Sequence, residues 1–64
     1  MSKPTFMVGE IILSETLMGK IVFAGVEENE WIYYLEDSVD DIQPLKMKQA
    51  DVKEVLRDGR WYGK

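Results

Sequence analysis

The chain has 64 residues, 45% of them hydrophobic, and its eight Lys and Arg against twelve Asp and Glu leave a net charge of −4. A chain of this length is a single small domain, residues 1–64, that buries only about 60% of its unfolded surface. Cysteine and histidine are both missing, which removes disulfide staples, the preferred zinc ligands and the usual base of nucleophilic hydrolases.

At the N-terminus, residues 1–6 lack the apolar core of a signal peptide, and Met1 reads as the start of the chain. Glu and Lys interrupt every hydrophobic segment, so no run reaches the roughly 20 residues of a membrane helix. Cytoplasmic residence is expected, with no membrane contact. Residues 6–13 read as a first strand, with Gly9 marking a bulge or a close backbone approach. Residues 14–18 make a connection of mixed character. Residues 19–26 are apolar and β-branched, and residues 31–35 follow as an aromatic strand. Between them Glu27, Glu28, Asn29 and Glu30 form an acidic link of a common hairpin length. Both strands carry apolar side chains on each face, as in a barrel or a sheet covered on two sides.

Residues 37–41 are a turn cluster, and residues 42–47 are a fourth strand that Pro44 places at an edge or interrupts. The tail admits two readings. Asp51 and Glu54 have capping-box spacing, and Val52, Val55 and Leu56 share one helical face, which gives a short C-terminal helix over 52–58. Alternatively, a single helical turn at Gln49, Ala50 and Asp51 leads into a short strand, and Asp58 and Gly59 can turn a hairpin between Val55–Leu56 and Trp61–Tyr62. The β-branched valines and the short length favour the second reading.

This order of segments resembles the SH3-like small β-barrel superfamily, with a KOW or Tudor-like layout. The run Phe6, Met7, Val8, Gly9, Glu10, Ile11, Ile12 resembles the first strand of such barrels. Gly19, Lys20, Ile21 and Val22 resemble their second strand. Gln49, Ala50, Asp51 and Val52 sit where those barrels carry a 3₁₀ turn before the closing strand. The resemblance implies a mainly β fold: a small barrel of about five strands with a short helical turn near residues 49–52. Barrels of this kind are frequent in bacteria and their phages, and the layout by itself carries no function.

Catalytic chemistry has little to stand on. Ser2, Ser14 and Ser38 fall in termini or turns, the glycines at 9, 19, 25, 59 and 63 are too scattered for a phosphate loop, and the pairs Glu27/Glu28 and Asp40/Asp41 are sequence neighbours in turns. Asp37, Asp40 and Asp41 lack the spacing and the glycine of an EF-hand and read as an ordinary Asx-type turn. The expectation is a protein without enzyme activity, cofactor or metal.

Aromatics and charge are the better lead. Phe6, Phe23 and Tyr33 read as core. The candidate partner-binding residues are Trp31 and Tyr34 as anchors, Glu27, Glu28 and Glu30 as a charged rim, and Trp61 with Tyr62. The surface is expected as a groove between the 14–18 connection and the 27–30 turn. It would suit a peptide bearing Lys or Arg, through apolar burial and cation–π contact. Residues 21–45 hold seven acids and no base, whereas residues 46–64 hold six bases and three acids. A non-catalytic protein-interaction module or small accessory subunit is therefore the expectation. The alternative is a nucleic-acid-binding barrel using the basic C-terminal region (Lys46, Lys48, Lys53, Arg57 and Arg60), which the net charge disfavours. A homo-oligomer through the edge strand at Pro44 is a further option.

Overall fold

In the computed structural model, which describes residues 3–36 and 45–63, the chain forms β1 (Ile11–Leu13), β2 (Met18–Glu27), β3 (Glu30–Leu35), β4 (Leu45–Lys48), a 3₁₀ turn (Gln49–Asp51), β5 (Glu54–Arg57) and β6 (Arg60–Gly63). All pairings are antiparallel, in one sheet of order β4-β3-β2-β1-β5-β6. The mainly β fold and the 3₁₀ turn are as the sequence predicts, and the sheet gains a sixth strand at its C-terminal edge. Among the described residues no ladder joins β4 to β6, so the sheet is not closed into a barrel. The turn cluster at 37–41 and the start of the predicted fourth strand, including Pro44, lie outside the described residues.

The ten-residue β2 serves two halves of the sheet: its start pairs with β1 and the rest with β3. Between the halves the register slips, with Ile21 opposite Leu35 but Phe23 opposite Tyr34. The extra residue is a β-bulge, which bends the strand and resets its alternation. Ile21 is fully buried, Val22 and Phe23 are both exposed, and Ala24 turns back against the core. Phe23, expected in the core, is outside for this reason.

One core fills the space between the halves: Phe6, Ile12, Ile21, Tyr33, Leu35, Met47, Val52 and Val55. It draws on β1 and β5 from one half and on β3 and β4 from the other, so the sheet folds over on itself. The halves approach closely at Gly19, where a Cβ would stand 2.9 Å from Leu35 Cβ. At the centre, Tyr33 is fully buried. Its hydroxyl donates to Gln49 Oε1 at 2.6 Å and accepts from the Phe6 N–H at 3.2 Å. The Phe6 ring meets the Tyr33 ring edge-on, with centroids 5.3 Å apart.

The chain ends and turns differ in detail from expectation. The first strand begins at Ile11, because residues 7–10 form a turn closed by the Glu10 N–H on Met7 O at 3.1 Å, with Gly9 at φ +98°. Positive φ at the third position is what a type II turn demands. The acidic link is two residues rather than four. Glu27 and Glu30 stay in the ladder as a pair, while Glu28 and Asn29 take φ 51° and 63°. Asp58 and Gly59, at φ 53° and 77°, turn the β5–β6 hairpin. Both are of type I′, whose hand matches the twist of the flanking strands. The alternative helix over 52–58 does not form. Val52 and Val55 are buried, at 2% and 5% exposure, and β5 pairs with β1 through Ile12 and Val55. A helix there would forfeit that ladder. Among the described residues no helix is long and apolar enough to cross a membrane.

Replacing Tyr33 by Phe leaves the buried Phe6 N–H without its acceptor and should destabilise the fold by about 1–3 kcal/mol in chemical denaturation. Glu28 holds a left-handed backbone that Asn tolerates better than Glu does. Glu28→Asn should therefore stabilise by about 1 kcal/mol, seen as a higher melting temperature.

Candidate functional site

Cross-strand partners share a face, and the register sorts the second half of the sheet accordingly. Tyr33 and Met47 point into the core from β3 and β4. The opposite face carries Phe23, Tyr34 and Lys46 in one row, Gly25, Ile32 and Lys48 in the next, and then the pair Glu27 and Glu30. Phe23 is 59% exposed, and its ring centroid lies 5.6 Å from that of Tyr34 at an interplanar angle of 58°. The Phe23 ring leans over Gly25, where a Cβ would come within 3.1 Å of Phe23 Cε2. Glycine thus leaves room for the edge of the ring.

Polar groups frame the rings. The Tyr34 hydroxyl donates to Glu27 Oε2, and Lys46 Nζ lies 3.5 Å from Glu27 Oε1. The Tyr34 hydrogen bond, aided by the Lys46 charge, holds the Glu27 carboxyl below its ordinary range. The same hydrogen bond pushes the Tyr34 phenol up. The face therefore presents the Tyr34 phenol, the Glu27 carboxylate and the side chains of Lys46 and Lys48 around a pair of rings. Such a face can offer apolar burial, cation–π attraction and charge pairing.

The structure unites some of the predicted residues and separates others. Tyr34 and Glu27 are hydrogen-bonded neighbours, Glu28 stands exposed at the turn, and Glu30 lies across from Glu27. Glu30 Oε1 is buried without a hydrogen-bond partner among the described residues. Trp31 is on the other side of β3, opposite Val26 and partly buried against the core. Its offset from Tyr34 is three positions, an odd number, so the two cannot anchor one face. Trp61 and Tyr62 are exposed on β6, opposite Leu56 and Val55, and so lie on opposite faces of their hairpin. Sequence reasoning missed Phe23. The signal was an unbroken apolar run from Ile21 to Ala24, which strict alternation does not accommodate.

The groove expected between the 14–18 connection and the 27–30 turn is not there, because these segments sit at opposite ends of β2. A groove of about 380 Å³ lies instead between residues 14–17 and the segment carrying Lys46, Met47, the 3₁₀ turn and Lys53. Ser14 Oγ accepts the Leu17 N–H at 3.0 Å and so serves the turn. The basic C-terminal region is divided by local pairing: Lys46 with Glu27, Lys53 with Glu15 at 3.4 Å, and Arg57 with Glu10. Lys48 and Arg60 make no ion pair among the described residues. No three acidic side chains converge as metal ligands among the described residues, and Asp37, Asp40 and Asp41 lie outside them.

The Glu10–Arg57 pair ties the N-terminal arm to β5. Arg57 Nη2 donates to Glu10 Oε1 at 3.1 Å and to Thr5 O at 3.4 Å, while Glu10 Oε1 also accepts the Met7 N–H at 2.7 Å. The Arg57 hydrogen bond holds the Glu10 carboxyl below its ordinary value of 4.5.

Comparison with protein-family models, with curated proteins and with solved structures finds no match, so the reading of this surface rests on its own chemistry.

A carboxyl with a lowered folded-state pKa stabilises fully above its unfolded value and loses that contribution as pH falls through the folded one. Melting temperature should therefore fall below about pH 4.5 in the parent. Glu10→Gln should lower stability at neutral pH and flatten that acid limb.

Proposed function

We propose that this protein is a non-catalytic interaction module, or small accessory subunit, that binds a protein partner through the outer face of β2, β3 and β4. The observation that carries this reading is the exposed Phe23 ring packed beside Tyr34. Water-facing aromatic pairs are costly to leave uncovered, and rings of this kind dominate binding energy when a partner buries them. Glu27, with Glu28 at the turn, gives the surface an acidic end suited to Lys or Arg on the partner. A guanidinium over the rings adds cation–π attraction. Trp61 and Tyr62 lie apart from this surface, on opposite faces of the β5–β6 hairpin. The layout also supports kinship with SH3-like small barrels: a long, bulged β2 shared by two halves, and a 3₁₀ turn before the strand that returns to β1. Cytoplasmic residence in a bacterial or phage setting belongs to the same reading.

One observation favours the second reading, a nucleic-acid-binding barrel. Lys46 and Lys48 stand on the same face as Phe23 and Tyr34, and single-strand binders combine basic grooves with stacking rings. Against it stand the net charge of −4 and the pairing of Lys46 with Glu27.

The test is capture of partners from nuclease-treated lysate by tagged parent protein and by Phe23→Ala. Phe23 is exposed, so the variant should keep its fold to within about 0.5 kcal/mol. Its partner binding should weaken at least about 10-fold, as for a residue at an interface centre. Capture indifferent to Phe23→Ala overturns this site. Capture that needs intact nucleic acid, falls steeply with salt and is lost in Lys46→Glu/Lys48→Glu assigns the face to nucleic acid instead.

A further inference from the structure

The first half of the sheet also has an outer face, and it is built unlike a solvated one. Ile12 and Val55 point into the core, so their neighbours along β1 and β5 point away from it. Cross-strand pairing then sets one outer row of Lys20, Ile11, Leu56 and Trp61, and a second of Met18, Leu13 and Glu54. An antiparallel face turned to water is ordinarily polar. Here the apolar side chains are contiguous, with Met18 58% and Trp61 45% exposed and Ile11, Leu13 and Leu56 partly so.

Charge identifies the occupant. The two rows carry one cation, Lys20, and one anion, Glu54, diagonally across β1. Neither makes an ion pair among the described residues. A partner of opposite charge would call for a face of one sign. This face is instead self-complementary: a two-fold axis lying in the contact plane, perpendicular to the Lys20–Glu54 diagonal, sets each Lys20 over the Glu54 of a second copy. The same operation brings Ile11 and Leu13 of both copies to the middle, giving an apolar centre flanked by two Lys20–Glu54 pairs, as an isologous interface allows.

We infer that the outer face of β2, β1, β5 and β6 is the contact between two copies of this chain, packed face to face. The face is separate from the one that carries Phe23, so either proposal can fail alone. Four strands by two alternate residues cover roughly 260 Å² per copy. That is below the roughly 800 Å² per partner of a standard stable interface, so the dimer is a weak one, forming in the micromolar range or above.

Sedimentation velocity on the full chain, from about 1 μM to about 1 mM, tests this. The parent should shift from monomer to dimer with concentration. Lys20→Glu should raise the dissociation constant at least about 10-fold, Glu54→Lys should do the same, and the double exchange Lys20→Glu/Glu54→Lys should restore dimerisation. Leu56→Lys should abolish it, with circular dichroism showing the sheet retained. A monomer at every concentration overturns the inference. So does a dimer indifferent to Lys20→Glu and Leu56→Lys, which would place the contact at a strand edge. Loss in the single variants without rescue in the double overturns the Lys20–Glu54 pairing on which the geometry rests.

Discussion

The buried hydroxyl of Tyr33 is the constraint on which the rest of the molecule depends. A phenol oxygen without water must have partners, or its burial costs more than its ring contributes. Here both partners are distant in sequence: the Phe6 backbone in the N-terminal arm and the Gln49 side chain in the 3₁₀ turn. One side chain on β3 therefore fixes where the arm crosses the core and where the chain turns after β4. From that turn, the Lys53 N–H on Leu13 O at 2.7 Å starts β5 alongside β1. In a 64-residue chain without cysteine, two such tethers on one group help to replace what a larger core would supply.

A second constraint is the bulge in β2. Without the extra residue, the strand would keep the alternation set by Ile21 and send Phe23 inward. With it, the strand bends around the core and a large ring is turned outward beside Tyr34. The same residue thus folds the sheet over and creates its aromatic face. Gly25 completes the arrangement by leaving room for the edge of the ring.

A single sheet folded over one core has two outer faces and no helix among the described residues to cover either. On the half formed by β2, β3 and β4, the uncovered face is aromatic and ionic. On the half formed by β2, β1, β5 and β6 it is aliphatic, with one charge of each sign. The difference follows from the register, which opposes Lys46 to Tyr34 and Lys48 to Ile32 in one half and aligns Ile11 with Leu56 in the other.

Local chemistry determined much of the layout by itself. Apolar, β-branched runs made strands, Asp58 and Gly59 made a tight turn, and Gln49 to Asp51 made the 3₁₀ turn, because each depends on neighbours in the chain. The lack of Cys and His likewise removed whole classes of chemistry before any fold was known. What tertiary structure alone decided was the side on which each residue fell. A slip of one position in the pairing of β2 with β3 reverses a face, and no local propensity reports such a slip. It moved Phe23 from the expected core to the surface, while the closing-in of the two halves drew Trp31 partly into the core. The choice of strand over helix for residues 52–58 was likewise tertiary. Val52 and Val55 fit either pattern, and only the free edge of β1 and the space beneath it made the strand the better solution.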